Sequence, residues 1–190
     1  MSATPSDEIR GLPARVAALD LLTAALSRRA GLEEALGRPA MAALPARDRA
    51  FARALVMAAL RWLGPIDGAL QARVQRPPPD AMVNVLRLGA AQLLVLKTPA
   101  HAAVGASVDL AAAQKGGQAF KGLVNAVLRG LARDPPSLDD PDRLAPPWLY
   151  ARWRAAYGEA VVAQGGVAVA GLGLPGCRLG GLWAFSARFR

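Results

Sequence analysis

Lys121, Asn125, Arg129 and Arg133 recur at every fourth residue. At about 100° per residue a step of four drifts by only about 40°, so the four lie in one row along a helix. Phe120, Val124, Val127 and Leu131 step by four, three and four and form a second, apolar row. One helix therefore has a side that packs and a side that presents cations and an amide. Ammonium and guanidinium groups neutralise phosphate, and a carboxamide can donate and accept at a base edge. The chemistry open to this row is recognition of a polyanion; the plainer alternative is an ordinary solvated helix face.

Other chemically capable residues are sparse. Cys177 is the one cysteine, which excludes an intramolecular disulfide and a cysteine-based metal cluster. It has no catalytic-looking neighbours and reads as an incidental thiol. His101, the one histidine, follows Pro99 at a helix start, and with no second ligand type beside it a packing or capping role is expected over metal binding. Gly171, Gly173 and Gly176 follow no strand and open no helix, so they do not form a nucleotide loop. No catalytic residue and no metal ligand is expected on this chain.

The elements that must position the cationic row are helical throughout. Val16, Leu19, Leu22 or Thr23, and Leu26 repeat at helical spacing after Pro13 up to Ser27. A short helix at Leu32 to Leu36 is closed by Gly37 and Pro39. Phe51, Leu55, Ala58 and Trp62 mark a helix from Ala46 to Trp62, ended by Gly64-Pro65, and another runs from Pro65 to Val74. After Pro77-Pro78-Pro79, Asp80 suits an N-cap, and Ala81 to Leu96 is apolar on most faces, as a buried central helix would be. Gly89 in its middle costs roughly 1 kcal/mol of propensity, which implies close approach by another helix. His101 to Gln114 forms the next helix, with Val104, Val108 and Ala111 inward. Lys115-Gly-Gly then turns into the helix of the cationic row. No useful period-2 segment precedes residue 160, so the body is all-α, a bundle of about seven helices. A short extension helix follows from Trp148 to Tyr157, with Trp148, Leu149 and Trp153 as its apolar side.

The chain of 190 residues carries 23 Lys and Arg against 14 Asp and Glu, a formal net charge of +9. Residues 1–133 hold 17 bases and 9 acids, so the positive charge belongs to the helical body. Such a balance invites an anionic partner such as nucleic acid. Only Lys97, Lys115 and Lys121 are lysines, and with abundant Ala, Gly and Pro this is also the signature of GC-rich coding DNA. No apolar run approaches the roughly 20 residues of a membrane span, and Met-Ser-Ala-Thr-Pro-Ser-Asp-Glu at the start lacks the pattern of a secretory signal. The expectation is a soluble cytoplasmic protein without membrane association. Residues 1–12 are polar and read as a flexible terminus, 13–133 as the helical domain, and 134–160 as a Pro- and Asp-rich linker followed by the start of a bridge. Residues 161–190 have no acidic residue, many glycines and weak periodicity. They read as an atypical Gly/Ala-rich tail, disordered or produced by a frameshift or truncation near residue 160.

The order Gly89-Ala-Ala-Gln-Leu-Leu-Val-Leu, Pro99-Ala-His-Ala-Ala-Val, Lys121-Gly-Leu-Val-Asn-Ala-Val-Leu-Arg resembles the NusB-like RNA-binding domain. More narrowly it is similar to the amino-terminal domain of the RsmB (Sun or Fmu) family of 16S rRNA (cytosine-C5) methyltransferases. Pro146-Pro-Trp-Leu-Tyr-Ala-Arg-Trp with Tyr157-Gly resembles the bridge that follows that domain in the methyltransferases. The resemblance implies a bundle that contacts RNA through its first helix and through the turn and start of its last helix. Carried over by position, the RNA-binding residues are Arg10 and Arg15 at the front and Lys115, Lys121, Asn125 and Arg129 at the back. Asn125 suits either a base contact or a tie to a neighbouring loop.

Cytosine-C5 methyl transfer needs a thiolate, a group that assists elimination, and an S-adenosylmethionine pocket on a Rossmann-like sheet. The sequence shows none of these. The implied role is RNA binding, with small-subunit rRNA as partner, in a truncated methyltransferase lacking its catalytic domain; S-adenosylmethionine belongs only to an intact parent. The alternatives are a free-standing NusB-type antitermination factor, with a protein partner in the ribosomal or transcription machinery, and a helical protein–protein adaptor.

Overall fold

The computed structural model of the chain describes residues 11–27, 39–138 and 147–159. The helices are α1 (Leu12–Leu26), α2 (Pro39–Ala42), α3 (Ala46–Arg61), α4 (Leu63–Gln71), α5 (Asp80–Leu94), α6 (Ala100–Ala113), α7 (Lys121–Arg133) and α8 (Pro147–Tyr157). A 3-10 turn, Gly117–Phe120, leads into α7. Among the described residues there is no strand, and the fold is an all-α bundle as expected. The short helix expected at Leu32 to Leu36 lies outside the described residues, as do Cys177 and the tail from 161.

α5 is the axis of the bundle and packs on α1, α3, α4, α6 and α7. Its buried set includes Met82, Val85, Leu86, Leu88 and Leu94, spread over most of its circumference. Gly89 explains how α6 and α7 come so near: an added Cβ would lie 2.5 Å from Leu128 Cδ1 and 2.8 Å from Ser107 Oγ. α1 packs on α3, α5 and α6 through alanines as much as leucines. Ala14, Ala17 and Ala18 are buried with Leu19, Leu21 and Leu22, while Val16 and Leu26 are half-buried and Thr23 is exposed. Small side chains at these positions let the helix axes approach closely, which a count of large apolar residues does not register.

The helix boundaries depart from the sequence reading for local reasons. Asp80 is not an N-cap. Pro79 holds that position at φ −53° and ψ 149° without a side-chain cap, and its carbonyl accepts from Met82 N at 2.8 Å and Val83 N at 3.1 Å. Asp80 sits in the first turn of α5, where its charge favours the positive end of the helix dipole. Gly64-Pro65 does not end a helix either. The break falls at Trp62, and Pro65 lies in the first turn of α4, where a missing N–H costs no intrahelical bond. Pro39 is the first residue of α2.

One buried polar network ties three helices. Arg87 donates Nε to Asp67 Oδ1 at 2.7 Å and Nη2 to Asp67 Oδ2 at 2.8 Å, a two-pronged pair between α5 and α4. Its Nη1 donates to Asn84 Oδ1 at 2.8 Å, and Asn84 Nδ2 donates to Thr23 Oγ1 on α1 at 3.1 Å. Asp67 is only 2% exposed, so this carboxylate depends on Arg87 for the charge compensation that water would otherwise supply.

Candidate nucleic-acid interface

The two-row reading of α7 corresponds to its placement in the fold. Val124, Val127 and Leu131 are buried and Phe120 is half-buried, joined by Leu128, which the four-residue pattern did not include. Lys121, Arg129 and Arg133 are exposed, and Asn125 is half-buried beside them. Over the eight residue steps from Lys121 to Arg129 the helix rises about 12 Å, so the donors are spread along a strip rather than gathered at a point.

Lys115 precedes this strip along the chain, on a turn that depends on two glycines. Gly116 adopts φ 74°, the left-handed region that side chains disfavour. An added Cβ at Gly117 would overlap the Ala111 carbonyl oxygen, and Gly117 N donates to Gln114 O at 2.9 Å. The chain thus folds back over the end of α6, and the 3-10 turn delivers it to Lys121. Lys115 is exposed on this turn.

Among the described residues no carboxylate pairs with Lys115, Lys121 or Arg129. Asp134, just beyond the end of α7, is held elsewhere: Arg73 Nη2 donates to its Oδ2 at 3.1 Å and to its backbone oxygen at 2.7 Å. Among the described residues, then, nothing neutralises the strip. Arg129 donates Nε to Asn125 Oδ1 at 3.0 Å across one turn of the helix.

Arg15 has a different setting. Its Nε donates to Gln92 Oε1 at 3.0 Å and its Nη1 to the Gly11 carbonyl at 3.0 Å. Its guanidinium also sits 5.0 Å from the centroid of the Phe51 ring, a cation–π contact. Burial lowers its pKa from the ordinary arginine value by desolvating the charge. The structure thus turns Arg15 into the seam between α1, α3 and α5, and does not bring it into the row on α7. The sequence signal for this was Gln92: a wholly buried amide in an apolar helix requires a partner. Arg10 lies outside the described residues. His101 is exposed in the first turn of α6, and among the described residues no group of three or more His, Cys, Asp or Glu side chains could hold a metal.

Comparison with known proteins bears on the same bundle. Residues 12–133 match the NusB family. Ribosomal RNA small subunit methyltransferase B of Thermus thermophilus is 43% identical over 125 residues, covering 64% of this chain and 30% of that protein. The proteins of the same name from Xanthomonas campestris pv. campestris and Pseudomonas syringae pv. tomato are each 38% identical, over 161 and 156 residues. Those two matches cover 80% and 76% of this chain and 36% and 34% of the relatives. The chain thus spans about a third of the length of the relatives it matches. A match over 80% of 190 residues cannot end at Arg133, so the likeness runs on past the last helix of the bundle. From its bundle built on α5, its two-sided last helix and these matches, the chain belongs to the NusB family.

Proposed function

We propose that this chain is the RNA-binding amino-terminal part of a ribosomal RNA (cytosine-C5) methyltransferase, in which the bundle helps present small-subunit rRNA for modification. The observation that carries the reading is the exposed cations Lys121 and Arg129, with Asn125 between, on the solvent side of a helix whose other side is buried, preceded by exposed Lys115 on the turn before it, none of them paired with a carboxylate among the described residues. The relatives' names supply the substrate class. The likeness running past Arg133 favours a methyltransferase-linked domain over a free-standing NusB-type factor. Residues 134–160 then act as the bridge to the catalytic part of such a protein.

On this reading the described residues bind RNA and transfer no methyl group. S-adenosylmethionine does not fit them, because they form no strand and offer no strand-to-helix glycine loop. Arg15 contributes by fixing the entrance of α1 on Gln92 and Phe51 rather than as a free cation.

Binding should be electrostatic first, with log affinity falling against log salt by about 0.7 per phosphate contact on single-stranded RNA. The test is fluorescence anisotropy of the full chain with a labelled small-subunit rRNA fragment at several salt concentrations. Lys121→Glu with Arg129→Glu is expected to weaken binding on the order of tenfold or more and to reduce the salt slope by about 1.4, with the helical circular-dichroism signal unchanged. Full affinity in that double variant refutes the placement.

A further inference from the structure

The contact between Arg129 and Asn125 restricts what the strip can recognise. A guanidinium only donates, so the carboxamide must turn its oxygen, not its nitrogen, toward Arg129 Nε. The bond occupies Nε and leaves both terminal amino groups of Arg129 on the exposed side of α7. It also takes up one of the two lone pairs of the Asn125 side-chain oxygen, so what Asn125 offers without sharing is the N–H pair of Nδ2. Lys121, one turn earlier, offers only donors as well. The groups that the strip offers without sharing are therefore donors.

We infer that Asn125 is a positioning residue that holds Arg129 as an outward-facing fork, and that this fork selects paired acceptors, either phosphate oxygens or the O6 and N7 atoms of guanine. Adenine is the poorer match, because an asparagine reads it by accepting from N6 while donating to N7, and the accepting oxygen would have to be shared with Arg129. A guanidinium fork matches the geometry of two neighbouring acceptors, and fixing it before contact lowers the ordering cost of binding. An exposed pair of this kind on a helix surface adds little to fold stability, so its loss is read in affinity and not in unfolding. The inference rests on the RNA-binding reading above.

The test uses the full chain and short fluorescein-labelled single-stranded oligoribonucleotides bearing guanine, the same strands with 7-deazaguanine, and the same strands with adenine. Asn125→Ala is expected to weaken binding to the guanine strand by roughly three- to tenfold, the cost of leaving one flexible side chain to be ordered on contact. In an Arg129→Ala background the same change should cost almost nothing, and Asn125→Gln, which keeps an accepting oxygen, should recover affinity to within about twofold. A loss with 7-deazaguanine that disappears in Arg129→Ala assigns the fork to the guanine edge. No such loss, together with a salt slope reduced by about 0.7 in Arg129→Ala, assigns it to phosphate. Independent, multiplicative losses from Asn125→Ala and Arg129→Ala overturn the inference, as does tighter binding of the adenine strand that depends on Asn125. If Lys121→Glu with Arg129→Glu keeps full affinity, the RNA-binding reading itself fails; if that variant loses affinity while Asn125→Ala does not, only the positioning role fails.

Discussion

Asp67 and Arg87 show how much depends on single side chains inside this bundle. Both prongs of the pair are short, and the carboxylate is almost wholly buried. Removing Asp67 strands a guanidinium that is itself largely shielded, with a side chain 12% exposed. Breaking such a pair costs about 3–5 kcal/mol. Asp67→Ala should therefore lower stability by about that amount in urea unfolding followed by circular dichroism, whereas Asp134→Ala, whose carboxylate is 88% exposed, should change it by under about 1 kcal/mol. Similar losses in the two variants would show that the buried pair contributes no more than a surface one. Neither partner announced itself in the chain, because Asp67 and Arg87 stand 20 residues apart on different helices and share no periodic pattern. Arg15 was legible as a cation but not as a half-buried, partnered one. Its partner Gln92 is 77 residues away, and only folding places an amide oxygen and a ring against it. Lys121 and Arg129 were legible in both type and exposure because they share one helix with the apolar row that fixes its rotation.

Among the elements, the contrast between glycines carries most of the packing argument. At Gly89 an added methyl meets Leu128, which is wholly buried, and Ser107, whose hydroxyl donates to the Ala103 carbonyl at 2.7 Å. Neither neighbour can move aside freely. Gly105, on the exposed side of α6, has open space in the same direction. Gly89→Ala should destabilise by about 1–3 kcal/mol through overpacking, even after the gain in helix propensity. Gly105→Ala should stabilise by up to about 1 kcal/mol. Thermal melts of the two variants should move in opposite directions, and a rise in both would mean that α6 and α7 do not close on α5 at Gly89. The prolines at 45, 79 and 99 act at this scale too. Each precedes a helix and sets its start without a side-chain cap, which is why Asp80 falls one residue inside α5.

For the molecule as a whole, the charge of +9 is biased toward the bundle, where 17 bases face 9 acids over residues 1–133. Among the described residues no helix is long and apolar enough to cross a membrane. The proposed division of labour, RNA binding here and chemistry elsewhere in a longer protein, predicts that the purified chain incorporates no methyl group from labelled S-adenosylmethionine into small-subunit rRNA while still shifting that rRNA in a salt-sensitive manner. Incorporation above a no-protein control would overturn the division.

What the chain determined by itself is the class of its elements and the two-sidedness of α7, because 3.6-residue periodicity is a local property and the rotation of an amphipathic helix follows from where its apolar side chains lie. The near-uniform apolarity of residues 81–96 likewise marked the central helix, and Gly89 within it marked the close approach. The tertiary structure alone decided which cations remain free. That depends on partners far along the sequence: Gln92 and Phe51 draw Arg15 inward, Asp67 holds Arg87, and Asp134 engages Arg73, while Lys115, Lys121 and Arg129 face outward without a carboxylate among the described residues. Charge is set by residue type, but whether it is available to a ligand is set by what the fold brings within a few ångströms.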